Sequence, residues 1–213
     1  LRDGVLFGFS GRSLDKDLKE NTVESFANRY QVNKVQAKTV GEVALTLFTL
    51  LQESHFVLND PLYTRRIIRW AAALHEIGLF ISHTVYHKHS AYILANADMP
   101  GFSRTDQIKL ALIVLAHRGN LKKITAELAN SPLSSRITWY AIIALRLAAT
   151  FCRARNGDAL PPNTALSYDE KSKTLLLRLN GTWLKNNPLT ESALESEIDH
   201  WQATPYHLKV DRF

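Results

Sequence analysis

Apolar side chains recur at helical spacing through the greater part of this chain. The clearest stripe lies between Asn33 and Glu53, where it comprises Val35, Val40, Val43, Ala44, Leu47, Phe48 and Leu51. Residues spaced by about 3.6 positions share one face of an α-helix, so the stripe predicts a helix with one buried side. The pattern indicates that this part of the chain packs helix on helix rather than as a sheet.

Capping residues and breaks predict where further helices begin and end. These helices are expected from Asn21 or Thr22, from Asn59-Asp60-Pro61 through Leu79, through Tyr92 and Leu94, from Ser103, over Leu121 to Ala129, and over Ser135 to Arg155. The helix after Pro61 is apolar nearly all round, which predicts a central buried position. The segment from Ser82 to His89 is predicted to be a loop.

The pattern changes at Pro161-Pro162, and short β-prone segments follow. Strands are expected at Ala165 to Tyr168, Thr174 to Leu179 and Tyr206 to Val210, with an acidic helix over Pro188 to Trp201. Asn180-Gly181 is typical of a hairpin turn, with Trp183 and Leu184 on the return strand. The sequence therefore predicts a mainly α fold, in which a helical domain precedes a small α+β domain with an antiparallel sheet.

The limits of the chain suggest a fragment or a processed product, because it begins at Leu1 and its only methionine is Met99. We expect residues 1–9 to be a remnant of something upstream, residues 10–157 the helical domain, and residues 158–213 the α+β domain.

The start has no features of a signal peptide. No apolar run reaches the roughly 18–20 residues needed to cross a bilayer, so no membrane partner is expected. Cys152 is the only cysteine, and it is predicted to be a buried, inert thiol in a reducing cytosol.

The charge of the chain favours a polyanionic partner, since the formal net charge is +6 and the sequence pI is near 9.5. A basic stretch runs from His117 to Lys123, and an acidic one lies between Glu191 and Asp199. The basic stretch is typical of a contact with a line of phosphates. The alternative is a solvated surface loop.

One short segment of the sequence is rich in histidine. It contains His75, His83, His87 and His89, and Glu76 directly follows the first of them. This density is typical of metal, phosphate or proton chemistry. His83 and His87 have the i, i+4 spacing that would suit one metal if the stretch were helical. The alternative is that His75 is a hydrogen-bonded core residue and the others line a surface loop.

Several motifs, in order, resemble the C-terminal region of the bacterial Ppx/GppA family of exopolyphosphatases and guanosine pentaphosphate phosphohydrolases. They are LRDGVL at 1–6, NTVESFANRY, QAKTVGEVALTLF, LHEIGLFISHTVYHKHSAYILANADMPGF and LRLAATFCRAR. The most specific pieces are HEIG, HKHSAYIL and DMPGF, and HKHSAYIL is closer to exopolyphosphatases. The resemblance covers essentially the whole chain.

This resemblance implies a division of labour within a bacterial, cytoplasmic hydrolase. In the family, terminal phosphate of inorganic polyphosphate or pppGpp is hydrolysed between two N-terminal actin-like domains, which also bind a divalent metal such as Mg. Residues 1–9 would then link to the second of these domains, and this region would bind or guide polyanionic substrate and support a homodimer. No catalytic residue and no cofactor are therefore assigned to this region.

The helical part of the family also resembles HD-type metal phosphohydrolases, whose metal ligands are a His, an adjacent His-Asp pair and a later Asp. The matching positions here are Gln36, the pair His75-Glu76, and Ala149. Alanine offers no ligand, so an intact HD centre and its metal are not expected. One alternative is an autonomous metal-dependent HD phosphohydrolase using His75, Glu76 and His87, and another is a purely structural dimerisation module.

The candidate polyanion-binding residues are basic or imidazole side chains from the two stretches described above. They are His87, Lys88, His89, Arg118, Lys122 and Lys123. Nucleic acid would satisfy the same charges, but Trp139, Trp183 and Trp201 do not alternate with basic residues as an aromatic stacking platform would require. A phosphate chain is therefore the expected ligand.

Overall fold

The computed structural model describes residues 18–54, 60–129, 133, 135–155 and 160–213. The helices of the first part are α1 (residues 18–29), α2 (Lys34–Glu53), α3 (Pro61–Leu74), α4 (Tyr86–Asn96), α5 (Arg104–Ala116), α6 (Lys122–Ala129) and α7 (Arg136–Phe151). Short 3₁₀ helices follow α3 at Ile77–Phe80 and α7 at Cys152–Ala154. The mainly helical architecture is confirmed. Residues 1–9, predicted to be a remnant of something upstream, lie outside the described residues.

Side-chain caps fix the starts of most of these helices. The side chains of Asn33, Asp60 and Ser103 each accept a hydrogen bond from a backbone N–H three residues ahead, and so does that of Ser135. Such caps satisfy donors that the first helical turn leaves free. The predicted start of the first helix is wrong, because α1 is already helical at residue 18. Thr22 lies inside it, and its hydroxyl donates to the carbonyl of Pro100 instead of capping.

The chain between α3 and α4 differs from its prediction at both ends. The third helix ends at Leu74 rather than Leu79, and α4 begins at Tyr86, so the loop predicted to His89 is shorter. Ser90 holds the two segments together, since its hydroxyl accepts from the backbone N–H of Gly78 and donates to the carbonyl of His75. Gly78 is required there, because a Cβ would lie 2.2 Å from the carbonyl oxygen of Tyr86. A tertiary contact, rather than local propensity, therefore sets these two boundaries.

Helix α7 forms the centre of the core, with α2, α3 and α5 packed against it. Nearly all of its side chains are buried, including the guanidinium of Arg146. By length and composition the stretch Arg136–Ala154 is apolar enough to cross a membrane, but 78% of it is buried inside the protein, as in a core helix. Cys152 follows α7, and burial raises the pKa of its thiol to about 12, which agrees with an inert cysteine.

The last part contains β1 (Ala165–Asp169), β2 (Thr174–Leu179), α8 (Gly181–Asn186), α9 (Pro188–Trp201) and β3 (His207–Arg212). Strands β1 and β2 are antiparallel, as expected, but β3 pairs with β2 in parallel, so the sheet is mixed rather than antiparallel. A parallel partner needs a crossover, and α8 and α9 provide it.

The hairpin predicted at Asn180-Gly181 is wrong. Asn180 caps α8 by accepting from the backbone N–H of Trp183, so Trp183 and Leu184 are helical. The φ of Asn180 is −64°, outside the left-handed region that a type I′ hairpin requires. The Asn-Gly pair thus begins a helix here, because the side chain of Asn180 accepts a hydrogen bond from the first helical turn.

Candidate functional site

The four positions that match an HD centre lie around one cavity of about 370 Å³. We call it the HD-like cavity, and its lining residues are Gln36, His75, Glu76, Leu79, His83, Tyr86, Arg118, Ala149, Arg153 and Arg155. Helix α2 supplies Gln36, the end of α3 supplies the His-Glu pair, and the last turn of α7 supplies Ala149. The sequence correspondence therefore brings residues more than a hundred positions apart to the same place.

Arg155 forms an ion pair with Glu76, the carboxylate that lines this cavity. Nη2 of Arg155 lies 2.6 Å from Oε1 of Glu76, and Nε2 of His75 lies 4.0 Å from the same oxygen. His75 is buried, and its Nδ1 is 2.7 Å from the carbonyl oxygen of Ala72. Burial lowers the pKa of His75, so the ring is neutral near pH 7. The negative charge of Glu76 is thus compensated by a protein cation.

The residues of the HD-like cavity do not fit a divalent metal. In the described part of the chain, three His, Cys, Asp or Glu side chains nowhere converge on a point where they could hold a metal ion. Gln36 uses its amide Nε2 to donate to the carbonyl of Cys152, at 2.9 Å, and Ala149 has no donor atom. The alternative set of His75, Glu76 and His87 is not assembled either. We therefore derive no metal-dependent step from this cavity.

Five of the six predicted polyanion-binding residues line a second cavity, a groove of about 730 Å³ that we call the basic groove. Its lining residues are Val85, His87, Lys88, Leu115, Arg118, Gly119, Asn120, Lys122, Lys123, Ile124 and Glu127. His89 is half-buried on α4 and does not line the groove. Helix α4 and the segment that joins α5 to α6 thus bring the histidine stretch and the basic stretch together.

His87 and Gly119 are in close contact at the base of the groove. A Cβ on Gly119 would lie 3.0 Å from Nε2 of His87, and the φ of Gly119 is +80°, so this position needs glycine on both counts. Burial, with repulsion from Arg118 and Lys88, lowers the pKa of His87 to about 4. His87 is therefore neutral near pH 7 and can offer a hydrogen bond but no positive charge.

Arg118 and Arg153 connect the cavities. Arg118 lines the basic groove, the HD-like cavity and a smaller cavity against α9, and Arg153 lines the last two. The guanidinium of Arg118 lies 5.2 Å from the ring centroid of Tyr86. Both arginines are exposed, and in the described residues neither has a carboxylate within 4.0 Å. These cations are available to an anion from outside.

The segment that carries Arg118 is held by a buried network that the sequence reasoning missed. Nη1 and Nη2 of Arg146 donate to the carbonyls of Ala116 and Gly119 at 2.8 and 2.7 Å, and the same guanidinium makes two bonds to Glu197 of α9. His117 is also buried there, with its ring 5.1 Å from that of His75. The available signal was Arg146 in the middle of the mostly apolar α7, together with the acidic helix that supplies its partner.

The fold and these cavities define a class: a helical domain with a small mixed sheet, in which the described side chains around the HD-like cavity do not form a metal site. Residues 18–198 match the family described as Ppx/GppA phosphatase, domain III. The chain therefore belongs to the Ppx/GppA phosphatase family, and the resemblance noted in its motifs is confirmed.

Curated relatives agree with this assignment. The chain is 37% identical over 202 residues to a guanosine-5'-triphosphate,3'-diphosphate pyrophosphatase of Pseudoalteromonas translucida. The matched region comprises 92% of the chain and 38% of the relative. The proteins of the same name from Aeromonas hydrophila and Vibrio cholerae are 34% and 30% identical, over 95% and 99% of the chain and 40% and 41% of the relatives. The chain thus spans about two fifths of the length of these relatives. Their names do not support the leaning of HKHSAYIL toward exopolyphosphatases.

Proposed function

We propose that this domain binds the phosphate chain of a polyanionic substrate in the basic groove and guides it to catalytic domains elsewhere in a Ppx/GppA phosphatase. The substrate would be pppGpp or inorganic polyphosphate, and the domain would also support a homodimer. The observation that carries the proposal is that Lys88, from the histidine stretch, and the basic stretch from His117 to Lys123 meet along one groove.

The charges along the groove support binding of a phosphate chain. Lys88, Arg118, Lys122 and Lys123 are exposed, and none has a carboxylate within 4.0 Å among the described residues. Glu127 also lines the groove, so the cations outnumber the acid by four to one. Several cations along a line bind a row of phosphates with an affinity that depends on salt and little on the rest of the ligand.

The names of the relatives favour pppGpp over inorganic polyphosphate as the ligand. Both present the same chemistry, a run of phosphate groups, and the experiment below compares them directly. No catalytic residue is assigned to the domain in this proposal. Autonomous metal-dependent hydrolysis has less support, because the required ligands do not converge among the described residues.

The proposal is tested by measuring the binding of pppGpp and of long-chain polyphosphate to this chain after removal of metal, at about 50 and 200 mM salt. We expect binding that weakens with salt and needs no metal. Lys122→Ala with Lys123→Ala should weaken it about tenfold at the lower salt, since two phosphate contacts are lost. The fold of the variant is checked by circular dichroism.

The matched control replaces two exposed lysines outside all these cavities, Lys185→Ala with Lys209→Ala. It removes the same charge from the chain, so it should leave more than half of the affinity if position matters. Equal losses in the two double variants would contradict the groove. Absence of binding at the lower salt would contradict the function as a whole.

A further inference from the structure

The lining of the HD-like cavity carries more positive than negative side chains. Three guanidinium groups, of Arg118, Arg153 and Arg155, line it against the single carboxylate of Glu76. Three positive charges against one negative give the lining a formal charge of +2 when its two histidines are counted as neutral. A metal centre needs the opposite balance, with carboxylates that compensate the cation. A cavity of this charge favours an anion.

Two of the residues at the positions that match HD ligands, Gln36 and Glu76, now hold the segment that carries the arginines. The amide Nε2 of Gln36 and the backbone N–H of Arg155 both donate to the carbonyl of Cys152, at 2.9 and 3.1 Å. These bonds attach α2 to the 3₁₀ turn that carries Arg153. Arg155 has a left-handed φ of +55°, which turns the chain so that its guanidinium meets Glu76. Ala149, which lines the same cavity as Arg118 and Arg153, adds no acid to it.

We propose that the HD-like cavity is a discrete binding site for a phosphate or diphosphate group, in which Arg153 and Arg155 replace the metal as the source of positive charge. A guanidinium presents a planar set of N–H donors that matches two oxygens of one phosphate. Only Nη2 of Arg155 contacts Glu76, and Arg153 has no acidic partner in the part of the chain that the structure describes. The volume of about 370 Å³ lies near the lower end of ligand pockets, as a small anion requires.

This site is separate from the basic groove, because it uses a different set of residues and shares only Arg118 with it. It binds one compact group, whereas the groove follows a chain. A ligand with two separate phosphate groups would be able to engage both cavities on either side of Arg118. The HD-like cavity would bind a phosphate group even if the groove binds nothing.

The test uses inorganic pyrophosphate, measured by titration calorimetry in the presence of a chelator. The chain should bind it with one-to-one stoichiometry. Ala149→Asp places a carboxylate beside the arginines and should weaken binding about tenfold or more, because a like charge a few ångströms from the ligand repels it. Ala149→Asn has nearly the same shape without the charge and should stay within about threefold of the parent chain.

The Asp and Asn variants separate an anion site from a structural role, since a packing defect would affect both alike. Equal pyrophosphate affinity in the two variants would overturn the proposal, as would absence of binding to the parent chain. The Lys122→Ala, Lys123→Ala variant should keep its pyrophosphate affinity while it loses polyphosphate affinity. If that variant loses pyrophosphate and Ala149→Asp does not, the anion binds in the groove and the HD-like cavity is not a site.

Discussion

Arg146 is the residue on which the geometry of the basic groove depends. Its guanidinium is fully buried, and it joins α7 to the carbonyls of Ala116 at the end of α5 and Gly119 just after it, and to Glu197 on α9. A buried arginine is tolerated only when its donors are satisfied, and here four contacts are made. The position of Arg118, one residue from Gly119, therefore depends on a helix from the last part of the chain.

Glu197→Gln should lower the free energy of unfolding by about 3 kcal/mol, because it leaves the buried Arg146 charge without its counterion. Chemical denaturation followed by circular dichroism measures the change. The matched control is Glu195→Gln on the same helix, whose side chain is 64% exposed. The control should change stability by less than about 0.5 kcal/mol. A loss in Glu197→Gln no larger than in the control would mean that the buried pair contributes no net stability.

Helix α4 contributes to the response to pH, since it brings His87 against the segment after α5. The rings of His75 and His87 lie 5.1 and 6.2 Å from that of His117, in a cluster drawn from three segments. Burial lowers the pKa of all three histidines, and that of His87 falls to about 4. All three are therefore neutral in the folded protein near pH 7.

The free energy of unfolding should fall as pH drops from about 6.5 toward 4, because the unfolded chain takes up protons on these histidines before the folded one does. His87→Phe keeps an aromatic ring and removes one titrating group, so its loss over this range should be smaller. Chemical denaturation at several pH values measures this change in the free energy of unfolding. His207→Phe is the control, since His207 is exposed, and it should leave the slope unchanged. A slope equal in all three proteins would contradict the assignment to His87.

At the scale of the whole molecule, one hydrophobic cluster extends from the helices into the sheet. It includes Phe48 of α2, Phe151 of α7, Leu177 of β2 and Trp201 of α9. Helix α2 also contacts β1, and α7 contacts α9. The predicted division into residues 10–157 and 158–213 stays a prediction, but the two parts bury their apolar surfaces against each other.

The proposed homodimer has a candidate surface in the exposed apolar side chains of Phe80, Ile81 and Val85, which are 58, 54 and 41% exposed. We expect light scattering to give about twice the chain mass of 24.1 kDa. Phe80→Ser with Ile81→Ser should shift the mass to that of a monomer. The control, Leu62→Ser with Leu189→Ser, replaces apolar residues on other helices that are more exposed, at 71 and 76%, and should remain dimeric. A monomeric parent chain would contradict the dimer.

Much of the helical framework was predictable because its signals are local. Asn33, Asp60, Ser103 and Ser135 cap helices where the sequence places them, and Pro188 to Trp201 has the predicted bounds. The failures lie where a distant partner decides, as at Ser90, which joins α4 to the chain after α3. The hairpin prediction at Asn180 failed for another reason, because an Asn-Gly pair suits both a tight turn and the start of a helix.

The sequence by itself determined the helical class, the family and the loss of ligands at Gln36 and Ala149, because capping, apolar period and residue type are properties of short segments. It also predicted which cations would bind a polyanion, and that stays a prediction. Only the tertiary structure decided that Arg155 compensates Glu76, that Arg146 anchors the segment of Arg118, and that β3 lies parallel to β2. These are contacts between residues far apart in the chain, and a pairing of that kind leaves no periodic signal in the sequence.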